Sequence, residues 1–589
     1  MVVSRSMRGP LGSRNRVASH AFLASDRDRR RGDGMMAPMA TDQLEVEWQY
    51  AALDTRPVLR WLQSGPVPGF SVVPAGVKEL DDTYFDTADW RVHKAGYTCR
   101  VRLKGADAEL TLKSMANPSG GMRTRRELTE GLSSPSEAPA RAPGPCGAAL
   151  RAVAGRAVLD PLFRLQTRRQ LFMLSDDQGP LGEVALDDTS IPVGEDTPVR
   201  LARVEVEVDQ AAVERARPFV AALVSGNGLT EALTSKFESA LIATGLRVPA
   251  APDLGPTAVN DGMTAAQVAY AVLRKQFSTF LANESGTRLG EDIEALHDMR
   301  VATRRMRAAM AAFRPFLTPR TLAFRDEFGW IAAALGEVRD LDVQLERMDE
   351  WHSNFSPERA HALDSVEGLL RARRAAARKR MLLALDSRRY ERLVARFTAA
   401  LRFGSPRSFA PGRLPVLSVA PDLVEKRYKT VRKAGDRIGK SSPPELYHAL
   451  RIDAKKLRYA LEFVGAGIYG RPAVEFSTRV TALQDVLGLH QDAYVAIEML
   501  QEIADSSGRR LGPATLMAMG VISERYRAHA EELRSQFPPV YKPIAGEEWS
   551  RLFKLMEARR PPAPVARVAR PAAASALVGT VNPPPADRP

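Results

Sequence analysis

At 589 residues the chain is too long for one hydrophobic core, so two folded units are the starting expectation. Lys and Arg number 84 against 70 Asp and Glu, and the resulting charge of +14 favours an anionic partner without saying which one. Two cysteines, Cys99 and Cys146, exclude a disulfide framework and a thiolate zinc site and fit a cytoplasmic protein, and with no apolar run of about 18 residues neither a membrane span nor secretion is expected.

Residues 1–40, rich in Arg, Ser, Gly and Met, are expected to be a disordered extension. From 41 to 248 the chain reads as short strands broken by Gly, Pro and Asp, with one alternating set charged instead of apolar. Glu45 and Glu47 share a face, as do Arg100, Arg102 and Lys104, then Arg123, Arg125 and Glu127, then Glu183 and Asp187, then Arg203, Glu205 and Glu207. Their neighbours, among them Val46, Val101, Leu112, Val184 and Val206, are apolar. If the apolar set packs beneath a covering layer, the charged set lines the inside of a closed sheet, a water-filled tunnel with acidic and basic walls. Such a lumen suits a phosphate chain: guanidinium and ammonium groups hold its oxygens, and clustered carboxylates hold a hard divalent cation. Positioning and charge neutralisation then carry phosphoryl transfer, with metal-bound water as the expected nucleophile.

Residues 249–262 turn to Ala, Pro, Asp and Gly and are read as a linker. Helical periodicity then runs from 263 to 557, and the Pro- and Ala-rich residues 558–589 are expected to be a disordered tail. The helical half is duplicated. His297-Asp298-Met299-Arg300 with Arg304, Arg305 and Arg307 returns 151 positions later as His448-Ala449-Leu450-Arg451 with Lys455, Lys456 and Arg458, and Leu335-Gly336 returns 152 positions later as Leu487-Gly488. On a helix, His297, Arg300, Arg304 and Arg307 form one stripe beside Met299, Met306, Met310 and Phe313. His448, Arg451, Lys455 and Arg458 do the same beside Leu450, Leu457, Leu461 and Val464. A solvated face usually mixes signs, because like charges one turn apart weaken a helix; these ridges are nearly one-signed.

Over residues 42–245 the sequence resembles the CYTH family of triphosphate tunnel metalloenzymes. The matching pieces are Glu45-x-Glu47, the run Asp82 to Thr87, Arg100-x-Arg102-x-Lys104, Leu110-Thr111-Leu112-Lys113, Glu183-x-x-Leu186-Asp187, Glu205-x-Glu207 and Ser235-Lys236. The resemblance implies an α+β, multidomain chain whose first half is an antiparallel eight-stranded tunnel, with Mg²⁺ or Mn²⁺ as cofactor and hydrolysis of a terminal phosphate. It implies catalytic roles for Glu45, Glu47, Lys113 and Lys236 and substrate contacts from Arg100, Arg102, Lys104, Arg125 and Arg203. It further implies metal contacts from Glu45, Glu47, Glu127, Glu183, Glu205 and Glu207. The chain departs from the family's Glu-x-Glu-x-Lys opening at Gln49, and Thr129 stands where many members carry a second glutamate. A cation missing from the substrate path bears on turnover more than on fold.

Residues 263–510 resemble the CHAD family, the conserved histidine α-helical domain, through Leu296-His297-x-x-Arg300-Val301-x-x-Arg304-Arg305-x-Arg307, Leu335-Gly336-x-x-Arg339-Asp340 and their second copies. This implies an all-α duplicated bundle that binds polyphosphate through His297, Arg300, Arg304, Arg307, His448, Arg451, Lys455 and Arg458, with binding of the longer polymer or targeting to polyphosphate granules as its expected role. The first reading is therefore an inorganic triphosphatase with a polyphosphate-binding domain. A binding module with a degenerate tunnel marked by Gln49 is the second. A nucleic-acid-binding protein is the third, disfavoured because no recognisable nucleic-acid-binding motif accompanies the basic ridges.

Overall fold

A computed structural model describes residues 40–562 other than 65, 66, 106, 354 and 440. Of the segments expected to be disordered, 1–39 and 563–589 lie outside the described residues.

Strands β1 (Thr41–Ala52), β2 (Phe70–Thr87), β3 (Tyr97–Lys104), β4 (Asp107–Ser114), β5 (Met122–Leu132), β6 (Leu159–Asp176), β7 (Gly179–Val193) and β8 (Asp196–Val208) form an antiparallel sheet in the order β5-β4-β3-β2-β6-β7-β8-β1. The sheet closes because β1 pairs twice, through Thr41 to Trp48 with β5 and through Val46 to Ala52 with β8. A two-residue strand, β9 (Thr230–Glu231), adds to β1 at Tyr50 and Ala51. Eight strands thus make the ring.

Closure works because the outward residues are covered. Trp48, Tyr50, Val184, Leu186, Val204 and Val206 pack under the helices Arg56–Gln63 and Val213–Asn227 through Val58, Leu62, Phe219 and Leu223. On the other side Cys99, Val101, Leu110, Leu112 and Leu128 pack under Pro145–Ala154 through Cys146, Leu150 and Val153. At about 1.5–3 kcal/mol for each fully buried aliphatic or aromatic side chain, this outer layer outweighs the cost of turning the charged parity into the lumen. Both cysteines are therefore inert packing groups, with thiols pushed up by burial.

The helical half repeats its packing as its sequence repeats. The His297 helix (Ile293–Ala312) lies against Ala265–Ala282 and Phe324–Ser353, and the His448 helix (Pro444–Val464) against Val416–Gly435 and Arg471–Ser507. Met299, Met306, Met310 and Phe313 share one core with Leu450, Leu457, Leu461 and Val464. The helix Glu284–Leu289 joins the halves. Its Arg288, 2 % exposed, donates to Glu284 at 2.8 Å, to Asp386 at 2.6 Å and to the Leu385 carbonyl at 2.9 Å. Leu289 packs on the outer layer of the ring, and Glu291 accepts from Tyr97 Oη and pairs with Arg126, both at 2.6 Å. Among the described residues no helix is long and apolar enough to cross a membrane.

Candidate active site and basic groove

Strand register places the charged side chains in rows. Glu183, Glu207, Glu47 and Arg123 stand side by side across β7, β8, β1 and β5. One step along are Ala185, Glu205 and Gln49; the next row runs Lys78, Arg169, Asp187 and Arg203 across β2, β6, β7 and β8. The ring encloses a cavity of about 360 Å³ whose lining includes Glu45, Gln49, Asp82, Arg100, Arg102, Lys113, Arg125, Glu127, Arg169, Glu183, Glu205, Glu207 and Lys236.

Most of these charges are matched. Lys113 pairs with Glu45 and lies 3.4 Å from Glu127 and 3.6 Å from Glu47, which also pairs with Arg125. Arg102 grips Asp82 with two bonds of 2.7 and 2.8 Å, and Arg100 lies 3.9 Å from the same carboxylate. Arg169 reaches Asp187 at 2.7 Å and Glu205 at 2.6 Å; Lys236 pairs with Asp187 and reaches Glu205 at 2.9 Å. Burial opposes ionisation of Glu205, but Lys236 and Arg169 outweigh it and hold this carboxyl well below the usual range. Glu183 and Glu207 have no ion pair among the described residues. Burial, then the negative charge of Glu45, with Glu183 and Glu127 adding, pushes Glu207 up to about 7.

The two basic ridges of the helical half meet. Arg304 donates to Tyr459 Oη on the His448 helix at 3.1 Å, and Arg305 and Arg458, one from each repeat, both lie 3.3 Å from Glu462. Lys455 is pushed down to about 7 by burial and then by Arg304, Arg451, Arg458 and Arg300, so five cations from two helices crowd one place. Two glycines shape the floor. A Cβ at Gly336 would lie 3.5 Å from Arg300 Nε, and one at Gly488 would lie 4.0 Å from Arg451 Nε, so each arginine lies across the same bare position of its repeat. His448 Nδ1 is 2.6 Å from Gln491 Oε1.

Residues 62–225 match the family model of the CYTH domain, and residues 271–501 match that of the CHAD domain. The chain is a CYTH domain followed by a CHAD domain. It is 26% identical over 524 residues to an uncharacterized protein of Mycobacterium tuberculosis (strain ATCC 25618 / H37Rv), covering 85% of this chain and 96% of the relative. Among solved structures it is similar to the CHAD domain from the plant Ricinus communis, at 26% identity, 50% of this chain, 97% of that chain and a TM-score of 0.42. PptA from Streptomyces chartreusis is 22% identical, over 48% of this chain and 99% of that chain, with a TM-score of 0.38.

The CYTH tunnel brings together most of the residues expected there. Glu45, Lys113, Lys236, Arg100, Arg102, Arg125, Glu127, Glu183, Glu205 and Glu207 line the cavity, with Glu47 packed beneath Lys113, Arg125 and Gln49. Two expectations are corrected. Lys104 ends β3 at the hairpin, is exposed and pairs with Glu109 at 2.5 Å, so it is not in the lumen lining. Arg203 is buried with its guanidinium directed at the Thr234 carbonyl and Ser239 Oγ, both at 3.3 Å, so it ties down the segment that carries Lys236. Arg169 was not anticipated. On β6 both parities carry apolar residues, Leu165 and Leu171 on one and Phe172 and Leu174 on the other, so alternation gave no inward side. Its register partner Asp187 was the available signal, since a carboxylate on the lumen face of β7 calls for a cation on the next strand. In the CHAD half, Arg300, Arg304, Arg451, Lys455 and Arg458 converge, whereas the guanidinium of Arg307 lies near Gly329 and His297 stands half-buried one turn before Arg300.

The acidic end of the CYTH tunnel suits a hard divalent cation. Glu183, Glu207 and Glu47 are register neighbours, two of them carry no ion pair among the described residues, and burial followed by the negative charge of Glu45 raises Glu207. Glu205 and Glu127 are less free, being engaged by Lys236 and Arg169 and by Lys113 respectively.

Proposed function

We propose that the CYTH tunnel hydrolyses inorganic triphosphate or a related triphosphate with Mg²⁺ or Mn²⁺, and that the CHAD groove binds polyphosphate. The observation that carries this reading is that one closed lumen holds both Glu183 and Glu207, which have no ion pair among the described residues, and the cations Arg100, Arg102, Arg125 and Lys113. Glu183 and Glu207, with Glu45 and Glu47, would hold the cation, which supplies charge neutralisation on phosphoryl oxygens and lowers the pKa of water. Arg100 and Arg125 line the cavity, and the buried Nε of each has no hydrogen-bond partner among the described residues, so both guanidinium groups would serve a phosphoryl oxygen. Arg102, fixed by Asp82, presents its remaining nitrogen in a set orientation. Lys236 and Arg169 pair with Asp187 and Glu205 and keep that wall from repelling the anion.

A binding-only tunnel is the second reading, favoured by one observation: Gln49 donates to both Glu47 and Glu205 with a neutral amide where the family carries a lysine. A substrate panel of tripolyphosphate, long-chain polyphosphate, thiamine triphosphate and nucleotides, each with Mg²⁺ or Mn²⁺, tests the proposal. Release from a triphosphate supports hydrolysis, and binding without release from any of them supports the second reading.

A further inference from the structure

A second cluster of ligating side chains lies outside both the tunnel and the groove. His352 ends the long helix Phe324–Ser353, His361 ends the short helix Pro357–His361, and Asp364 and Glu367 occupy the first turn of Asp364–Leu385. The positions are set from below. Met348 and Trp351 before His352, and Leu363, Val366 and Leu370 around the two acids, are buried in a separate apolar cluster with Leu500, Ile503 and Met519. That core holds the ends of the two helices together and brings His352 beside Asp364 and Glu367.

We propose that His352, Asp364 and Glu367 form a binding site for a first-row transition divalent cation, with zinc the fitting ion. One His352 nitrogen lies 3.6 Å from Asp364 Oδ1 and the other 3.8 Å from Glu367 Oε2, while His361 Nδ1 lies 3.1 Å from Asp364 Oδ2. The two His352 separations are too long for hydrogen bonds. One imidazole gives one nitrogen to an ion, so a cation here would take a single His352 nitrogen together with one oxygen from each acid. Candidate atoms of His352, Asp364 and Glu367 all fall within 4.8 Å of one another. His352 Nε2 is buried and has no hydrogen-bond partner among the described residues, and it lies on the Asp364 side of the ring.

Glu367 is also oriented for the role. Arg371 donates to its Oε1 at 2.8 Å, which leaves Oε2 for the His352 side. Attraction to a helix N-terminus accounts for acids in the first turn of Asp364–Leu385, but not for the His352 imidazole set against both of them. An imidazole with two carboxylates forms a borderline donor set, which favours zinc or its neighbours over the hard cation suited to the tunnel. The ion would fasten the end of one long helix to the start of the next, a structural role separate from the proposed hydrolysis.

The test uses the full chain, stripped with chelator and equilibrated with micromolar zinc in excess Mg²⁺ so that the tunnel is occupied by the harder ion. Metal content by mass spectrometry and the unfolding temperature are read for wild type, His352→Gln, Asp364→Asn and Glu207→Gln. One zinc per chain is expected in wild type and Glu207→Gln, with a rise in unfolding temperature. His352→Gln and Asp364→Asn are expected to bind zinc at least about 100-fold more weakly and to show no rise, with phosphate release unchanged. Asp364→Asn keeps the shape of the side chain, so loss of folding in His352→Gln leaves the test intact. No bound zinc in wild type, equal zinc in wild type and Asp364→Asn, or loss of zinc in Glu207→Gln instead would overturn the site.

Discussion

Gln49 Nε2 donates to Glu205 across the β1–β8 pair at 3.1 Å, and to Glu47 on its own strand at 3.0 Å. Both carboxylates are buried and each already has a cation, Arg125 for Glu47 and Arg169 with Lys236 for Glu205, so the amide satisfies oxygens without adding charge. Gln49→Lys is expected to raise phosphate release by about fivefold, the difference of roughly 1 kcal/mol between a neutral and a charged donor. Gln49→Met, which removes the donor altogether, is expected to lower it. Initial rates on tripolyphosphate at fixed Mg²⁺ check both.

Glu207 gives the tunnel a pH dependence with a definite sign. Its folded value of about 7 lies above its ordinary 4.5, so between these the folded state holds the extra proton and stability falls as pH rises. Metal-free protein is expected to lose unfolding temperature from pH 6 to pH 8, with Glu207→Gln flattening that slope by about 2 °C. Mg²⁺ is expected to restore wild type at pH 8 and to do less for the variant. Thermal unfolding at the two pH values, with and without cation, measures it.

The groove carries its own pH dependence through Lys455, whose value of about 7 leaves it charged below neutrality and largely neutral at pH 8. Polyphosphate affinity is expected to be higher at pH 6 than at pH 8. Lys455→Arg, charged throughout, should flatten the difference, and Arg300→Glu with Arg451→Glu should abolish binding. In wild type the affinity should also fall steeply with salt, as when several phosphates displace their counterions. Titration of the full chain and these variants with long-chain polyphosphate at two pH values and two salt concentrations reads all four effects.

Arg288 is the buried cation of the junction. Removing it strands Glu284 and Asp386 and opens the Leu385 carbonyl, so Arg288→Ala is expected to cost about 3 kcal/mol. Urea unfolding should show the loss as a lower midpoint.

The fold was readable because two simple periodicities survive in the sequence. Charged parity in Glu45 and Glu47 or Arg100 and Arg102 could only face inward once Val46 and Val101 were covered, and the helices that cover them follow in the chain. The duplication likewise announced two equivalent bundles. Parity does not report where a strand stops being part of the wall, which is why Lys104, at the hairpin, looked like a lumen residue. Nor does it report which way a long side chain turns: Arg203 shares the inward face with Glu205, yet its guanidinium is spent on Thr234 and Ser239. Arg169 and the His352 cluster depend on strand pairing and helix-end packing between segments distant in sequence, contacts that no local pattern encodes.

The central claim is that unpaired carboxylates at one end of the CYTH lumen hold the cation for triphosphate hydrolysis. Its most direct test is orthophosphate release from tripolyphosphate by the full chain, with and without Mg²⁺ or Mn²⁺, in wild type and in Glu183→Gln with Glu207→Gln. Cation-dependent release by wild type, reduced at least about 100-fold in a folded double variant, is the predicted result. Cation-independent release, or equal release by wild type and the double variant, would contradict it.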